Sequence, residues 1–114
     1  MDKRNHIAIF DLGKTNQKVV LIDGENLTKI DSRKAPNSVL KGLYPHLDTA
    51  SQWQFLCDCL SGFEQQHGVD GVAITTHGAT AALVVGDTLA LPVLDYEFEL
   101  PRSVDEAYNC LLYT

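Results

Sequence analysis

One short stretch of this sequence combines a carboxylate, a glycine, two lysines and several neutral hydrogen-bond donors. It runs from Asp11 to Lys18 and reads Asp-Leu-Gly-Lys-Thr-Asn-Gln-Lys. Successive backbone N–H groups around a glycine turn can point into one concavity and bind phosphate oxygens. The Thr15 hydroxyl and the Asn16 amide add neutral donors, and the lysines add positive charge. The stretch therefore has the parts that binding of a polyphosphate needs.

Each residue of this stretch has an expected role. We expect phosphate to be bound by five residues of the turn and its exit, namely Gly13, Lys14, Thr15, Asn16 and Lys18. Asp11 ends the first apolar run, where its carboxylate can hold Mg²⁺ directly or through water. The same residue types are also common in ordinary hairpin turns. The stretch alone does not separate a phosphate site from a plain turn.

A second polar cluster follows a later apolar run. Residues 75–80 read Thr-Thr-His-Gly-Ala-Thr and leave a predicted buried strand at 71–75. Ligands of open α/β sheets bind outside the carboxyl ends of parallel strands, so this cluster should converge with the first. His77 by itself is also compatible with an ordinary loop histidine. Alternation of Asp95, Glu97 and Glu99 predicts one strand face, which is either functional or simply solvated.

The apolar pattern predicts the strands that position these clusters. Runs at 7–10 and 18–22, the Asp23-Gly24 turn signal and a more polar run at 27–31 predict an antiparallel meander of three strands. Residues 32–48 contain two prolines and no periodicity. We expect them to form a surface loop that is functional or contacts another domain.

A helix should follow this loop. Thr49 and Gln52 have the spacing of a capping box, and Gly68 is a suitable C-terminal stop. The predicted apolar face comprises Trp53, Leu56, Leu60 and Phe63. The strand at 71–75 should lie parallel to the first strand. A second hairpin is predicted at 81–94.

The sequence ends in an amphipathic helical pattern. Ser103 and Glu106 again have capping-box spacing. The apolar residues at helical spacing are Val104, Ala107, Tyr108, Leu111 and Leu112. Because the chain stops while this stripe is being laid down, we expect its partner surface to be missing. The partner would be the rest of a larger protein or another copy of the chain.

Composition limits the class of protein. The 114 residues are 45% hydrophobic and 21% charged, as in globular chains, and the net charge of −6 disfavours nucleic-acid binding. No apolar run approaches the ~20 residues of a membrane span, and no signal-peptide core is found, so we expect a cytoplasmic protein without a membrane partner. The cysteines at 57, 59 and 110 favour reduced thiols over a disulfide framework or a zinc site.

The ordered motifs resemble a known family. Residues 7–18 are similar to the first phosphate motif of the actin-like ATPase superfamily, and more narrowly to that of the FGGY carbohydrate kinases, which open with Asp-x-Gly-Thr-Thr/Ser and a basic residue shortly after. Residues 73–80 resemble the Gly-Gln-Met-His-Gly stretch of these kinases. Residues 91–96 match a following stretch in which an Asp faces the sugar. The resemblance covers nearly the whole chain in the right order.

The resemblance implies both a fold and an activity. The fold would be a ribonuclease H-like α/β half-domain, with a mixed sheet, an antiparallel opening meander, a partly parallel strand order and helices packed on the sheet. The activity would be ATP-dependent, Mg²⁺-dependent phosphorylation of a hydroxyl of a sugar or polyol, such as a ketose of the xylulose, ribulose, rhamnulose or fuculose type. The substrate-binding residues carried over are Thr76, His77 and Asp95.

The same resemblance limits what the chain can do alone. Residues 1–114 would correspond to the N-terminal part of the first kinase domain. The catalytic-base Asp, the second phosphate motif, the adenosine-binding segment and the second domain are expected outside the chain. We therefore expect residues 1–114 alone to lack kinase activity.

Departures from the family pattern concern the sugar more than the reaction. Lys14 stands where a small hydroxyl residue is usual, Thr75-Thr76 replaces Gly-Gln-Met, and Glu97 falls where many relatives carry Arg. Two alternatives stay open: an actin-like scaffold that uses nucleotide as a switch, and a truncated remnant that only self-associates through its C-terminal stripe. A scaffold has no need of His77 and Asp95 beside the phosphate site, which favours the kinase.

Overall fold

The computed structural model of the chain describes residues 4–99 and 101–112. In chain order the elements are β1 (His6–Leu12), β2 (Asn16–Asp23), β3 (Lys29–Pro36), β4 (Val39–Leu40), β5 (His46–Leu47), α1 (Thr49–Gln66), β6 (Gly71–Thr76), β7 (Val84–Val85), β8 (Thr88–Leu89) and α2 (Arg102–Leu112). A mixed sheet has the order β3-β2-β1-β6. β1 and β3 each pair antiparallel with β2, and β6 pairs parallel with β1. The predicted meander and the parallel pairing of β6 with β1 are confirmed. The predicted burial of the strand at 71–75 is wrong, because only Gly71 is half-buried and residues 72–75 are exposed.

The core lies between one face of this sheet and α1. Alternate residues of β1 and β2 are buried, namely Ala8, Phe10, Val19 and Leu21. The helix buries residues at helical spacing, namely Gln52, Leu56, Cys59 and Phe63. Full burial of a large apolar side chain contributes about 1.5–3 kcal/mol, so this layer is the main source of stability.

The predicted apolar face of α1 is partly wrong. Leu56 and Phe63 are buried and Leu60 is half-buried, but Trp53 is 67% exposed. Gln52 takes the buried position because its carboxamide donates to the Asn37 side-chain oxygen at 3.2 Å. Neighbouring helix residues lie about 100° apart around the axis, so burial of Gln52 leaves Trp53 on the solvent side.

Asp48, not Thr49, caps the N-terminus of α1. The Asp48 carboxylate accepts the Ser51 backbone N–H at 3.1 Å. The capping box predicted from Thr49 is therefore wrong by one residue. At the other end, the predicted stop at Gly68 is confirmed. Gly68 has φ +84, and its N–H donates to the Phe63 carbonyl at 2.9 Å.

The capping box predicted for the second helix is also wrong. α2 begins at Arg102, so Ser103 lies within the first turn. Glu106 accepts a hydrogen bond from the Arg102 guanidinium at 2.8 Å, one turn earlier. Val104 and Tyr108 of the predicted stripe are exposed. The side chains of Leu111 and Leu112, which were predicted to continue it, lie outside the described part of the chain.

The segment 32–48, predicted as a loop, contains regular structure. β3 extends to Pro36, and β4 pairs antiparallel with β5. The third strand therefore begins later and ends later than predicted, and Leu27, with φ +59, belongs to the preceding turn. β3 lacks an apolar pattern because it is an edge strand with charged residues. One of these, Arg33, packs its guanidinium 5.2 Å from the centre of the Phe63 ring.

The second hairpin is present but shorter than predicted, since only β7 and β8 pair. Residues after it form a turn in which the Phe98 N–H donates to the Asp95 carbonyl at 3.0 Å. The prediction that Asp95, Glu97 and Glu99 share one strand face is therefore wrong. The turn brings the Asp95 side chain inward and leaves both glutamates exposed.

The chain is elongated, with extents of 63 × 30 × 28 Å and a radius of gyration of 18.3 Å. A compact domain of this length would have a radius near 13 Å. Much apolar surface is therefore uncovered. Ile74 on β6, for example, is 65% exposed. Neither helix in the part that the structure describes has both the length and the apolar character to cross a membrane.

Candidate functional site

The turn between β1 and β2 lies at the same end of the sheet as the exit of β6. In the strand register, Asp11 stands opposite Lys18 on one side and Thr75 on the other. Residues directly opposite each other project from the same sheet face, and all three are exposed. Asp11, Lys18 and Thr75 therefore form a row of polar residues across three strands. The two polar clusters lie at the same edge of the sheet, as predicted.

Asn37 holds this turn from one side. Its side-chain amide donates to the Gly13 carbonyl and approaches the Lys14 carbonyl at 3.5 Å. Its backbone N–H donates to the Thr15 carbonyl at 2.9 Å. The buried Gln52 of α1 in turn fixes the Asn37 carboxamide. The core helix therefore anchors the turn through a chain of hydrogen bonds.

These contacts determine the direction of the N–H groups of the turn. In a trans peptide the N–H points opposite to the carbonyl. Because the carbonyls of residues 13–15 face Asn37, the N–H groups of Lys14, Thr15 and Asn16 face away from it. Those of Lys14 and Thr15 have no acceptor among residues 4–99 and 101–112. Two adjacent free donors on the open side of a turn form a suitable site for an anion.

Gly13 is needed here for close approach. A Cβ at this position would lie 3.0 Å from the Asn16 carbonyl oxygen, which also accepts the Gly13 N–H at 3.0 Å. Among the described glycines, a positive φ occurs only at Gly68 and Gly86. Glycine is therefore required at position 13 by the nearby Asn16 carbonyl and not by a positive φ.

Lys14 joins the turn to the second cluster. Its ammonium forms an ion pair with Asp95 and lies 5.2 Å from the centre of the Tyr96 ring. The Tyr96 and His77 rings are in contact, with 5.4 Å between their centres. The His77 Nδ1 atom lies 3.4 Å from the Thr80 hydroxyl. The structure thus brings together Lys14, His77 and Asp95, three of the predicted site residues.

The ion pair stabilises the charged form of both partners. The hydrogen bond from Lys14, followed by that from the Glu97 backbone N–H, lowers the pKa of Asp95. The same contact with Asp95 raises the pKa of Lys14. Both groups are therefore charged at neutral pH, and Asp95 acts only as a hydrogen-bond acceptor.

The segment around β5 supports Asp95. The Asp95 N–H donates to the Pro45 carbonyl at 3.0 Å, and the Leu47 N–H donates to the Val93 carbonyl at 2.8 Å. Val93 is buried, so this short stretch is fixed on both sides. The segment 32–48 was expected to be functional or to contact another domain. It holds Asp95 in place and contains none of the predicted site residues.

The other predicted residues surround this centre. The Thr76 hydroxyl donates to the Leu12 carbonyl at 3.0 Å, which ties the end of β6 to that of β1. Its oxygen keeps the capacity to accept a hydrogen bond. Lys18 and Asp11 are exposed, and neither forms an ion pair within the described ranges.

Asp11 is the candidate ligand for a divalent cation. Over residues 4–99 and 101–112, no three His, Cys, Asp or Glu side chains are grouped to hold a metal ion. A single carboxylate beside an anion-binding turn still suits Mg²⁺. That ion keeps several waters and is usually held by one or two carboxylates together with substrate phosphates.

Three contributors to the site were not predicted, namely Asn37, Gln52 and Tyr96. Tyr96 could have been found, since it directly follows Asp95. Nothing in the sequence near Asn37 or Gln52 points to a role in the site, because each acts through a hydrogen bond to a residue distant in sequence. The helical pattern gave Gln52 only a capping role.

No protein-family model matches this sequence, and no curated protein matches it significantly. Solved structures do match. A carbohydrate kinase from Novosphingobium aromaticivorans superposes with a TM-score of 0.85 and 31% identity, over 96% of this chain and 23% of that chain. A ligand-bound xylulose kinase from Lactobacillus acidophilus superposes with a TM-score of 0.60 and 16% identity, over 79% of this chain and 19% of that chain. Plasmodium falciparum glycerol kinase with ADP superposes with a TM-score of 0.64 and 16% identity, over 97% of this chain and 24% of that chain.

The chain spans less than a quarter of each of these kinases. The two matches at 16% identity show a shared fold alone. The first match adds sequence similarity along almost the whole of this chain. The fold of this chain is therefore that of the matching part of the carbohydrate kinases, and the resemblance to this family expected from the sequence motifs is confirmed.

Proposed function

We propose that this chain forms the phosphate-binding and sugar-binding edge of an ATP-dependent carbohydrate kinase. One observation carries the proposal: the turn with free N–H donors touches the cluster of His77 and Asp95 through Lys14. Phosphoryl transfer needs a polyphosphate and an acceptor hydroxyl held side by side, with the phosphate charge neutralised. The free N–H groups of the turn can bind the polyphosphate, and the neighbouring carboxylate and imidazole can bind the compound that carries the acceptor hydroxyl.

The turn serves the nucleotide in this proposal. The N–H groups of Lys14, Thr15 and Asn16 donate to phosphate oxygens, and Gly13 permits the close packing that aims them. Lys18 supplies positive charge beside them. Asp11 holds the Mg²⁺ that accompanies ATP, and this ion neutralises charge on the phosphates when it is bound.

The second cluster serves the sugar. The Asp95 carboxylate and the His77 ring hydrogen-bond hydroxyls, and the Thr76 oxygen accepts a further one. Since the pKa of Asp95 is lowered, its carboxylate is an acceptor over the whole physiological range. Such a set suits a neutral compound with several hydroxyls. The family resemblance suggests a ketose of the xylulose, ribulose, rhamnulose or fuculose type, or a polyol.

We assign the general base to an Asp in the remainder of a longer polypeptide, together with the adenosine site. Residues 1–114 alone are then inactive as a kinase, and their sheet is part of a ribonuclease H-like first domain. The place of action in this proposal is the cytoplasm. The exposed stripe of α2 packs against the rest of that polypeptide or against a second copy.

A thermal-shift screen of the full-length polypeptide with sugars, polyols and Mg-ATP tests this assignment. A bound ligand raises the melting temperature by mass action, so we expect separate shifts from ATP and from one class of sugar. Asp95→Asn should abolish the sugar shift and keep the ATP shift. Asp87→Asn, in the exposed turn between β7 and β8, is the matched control. Nucleotide-dependent sedimentation with no sugar effect would instead favour an actin-like scaffold.

A further inference from the structure

The Lys14 ammonium lies with the second cluster. Its contacts are the Asp95 carboxylate and the Tyr96 ring. We propose that the Lys14 side chain is a positioning residue for the sugar-binding carboxylate of Asp95 and does not act as a ligand of the nucleotide phosphates. This inference rests on the proposed function and changes the role of one residue within it: Lys14 gives its backbone N–H to the phosphates and its side chain to the sugar site.

The hydrogen bonds of Asp95 leave one oxygen free. Oδ1 accepts both the Lys14 ammonium and the Glu97 N–H, the latter at 3.1 Å. Oδ2 has no partner in the described portion of the chain. A carboxylate held at one oxygen by two donors presents the other in a fixed direction, which is what recognition of a particular hydroxyl requires. The side chains of Lys14 and Asp95 are only 22% and 13% exposed, so water competes weakly for this contact.

Lys14 also orders the neighbours of Asp95. Tyr96 is adjacent in sequence, and its ring contacts both the ammonium and the His77 ring. The Lys14–Asp95 pair is the one hydrogen bond that joins the turn at 13–15 to the turn at 95–98 among the residues described. Loss of this ammonium would therefore release the carboxylate and the ring that supports His77 together.

Steady-state kinetics of the full-length kinase separate this role from phosphate binding. We expect Lys14→Met to raise the KM for the sugar about tenfold, as expected on loss of a charged hydrogen bond, with a much smaller change in the KM for ATP. Lys14→Arg, which keeps the charge, should restore most of the sugar affinity. In combination with Asp95→Asn, Lys14→Met should add little, because both variants remove one interaction. Lys29→Met, at the opposite end of the sheet, is the control.

The reverse pattern overturns the inference. If Lys14→Met raises the KM for ATP and leaves that for the sugar unchanged, Lys14 is a phosphate ligand. If the wild type phosphorylates no sugar or polyol, the proposed function fails, and the pair is then tested in the 114-residue chain by NMR. There, Lys14→Met should raise the pKa of the Asp95 carboxyl and shift the ring signals of Tyr96. If the pKa of the Asp95 carboxyl is the same in Lys14→Met and in the wild type, the positioning role is refuted.

Discussion

The side-chain amide of Asn37 donates a hydrogen bond to the carbonyl of Gly13, which lies 24 positions earlier in the chain. The contact turns the peptide groups of the β1–β2 turn so that their N–H groups face the open side. Gln52 in α1 holds Asn37 in place. The phosphate-binding capacity of the turn thus depends on the packing of a core helix against the sheet.

Asn37→Ala should weaken both the fold and anion binding. Removal of the carboxamide leaves the amide of the buried Gln52 without its acceptor, at a cost of about 1–3 kcal/mol in the free energy of unfolding. The turn also loses the bond that orients its peptides, so binding of pyrophosphate should weaken. Denaturant unfolding and calorimetry measure the two effects. Asn109→Ala, exposed on α2, should change neither. Unchanged pyrophosphate affinity in a folded Asn37→Ala variant would show that Asn37 does not shape the site.

The N-cap of α1 can be tested by neighbouring substitutions. Asp48→Ala should lower the free energy of unfolding by about 1 kcal/mol, because the Ser51 N–H loses its acceptor. Thr49→Ala should have little effect, since its side chain makes no capping bond in the described structure. Urea unfolding of both variants gives the comparison. A larger loss for Thr49→Ala would support the capping box predicted from the sequence over the cap seen in the structure.

The orientation of α1 predicts opposite results for two aromatic residues. Phe63 is fully buried and carries the Arg33 guanidinium over its ring, so Phe63→Ala should cost about 3–5 kcal/mol. Trp53 is mostly exposed, and Trp53→Ala should stay within about 0.5 kcal/mol. Chemical denaturation followed by circular dichroism measures both. Equal losses would mean that the helix presents the face expected from the sequence pattern.

The strand and helix order could be predicted from the sequence because β1, β2 and β6 are apolar runs and α1 has a periodic face. The first and last residues of β3 could not be predicted, since this edge strand contains Asp31, Arg33 and Lys34 and has no apolar pattern. The motif residues could be proposed from their types and order. The pairing of Lys14 with Asp95 could not, because these residues are 81 positions apart and the backbone of Asp95 is held by Pro45, a residue from a third segment of the chain.

An ion pair at the opposite end of the sheet makes stability dependent on pH. The hydrogen bonds from the Arg4 guanidinium, followed by that from the His6 backbone N–H, lower the pKa of Asp70 to about 2. A carboxyl whose pKa is lower in the folded state than in the unfolded state, where it is near 3.9, stabilises the fold above that value. This stabilisation is lost as the pH falls toward 2.

Thermal unfolding between pH 7 and pH 2 tests this pair. Asp70→Asn should melt at a lower temperature than the wild type at pH 7, and the gap should close between about pH 4 and pH 2. Arg4→Met should show the same convergence, because it removes the partner that lowers the Asp70 pKa. A gap that stays constant down to pH 2 would contradict the linkage.

Product analysis of the full-length polypeptide that contains this chain, incubated with Mg-ATP and a panel of ketoses, aldoses and polyols, tests the proposed kinase activity directly. The proposal predicts ADP formation that depends on one class of sugar, with an equal amount of phosphorylated sugar detected by mass spectrometry. His77→Ala should lower that yield with little change in the KM for ATP. ATP turnover that is independent of every sugar and polyol, or no turnover at all, would contradict the assignment of this site to a carbohydrate kinase.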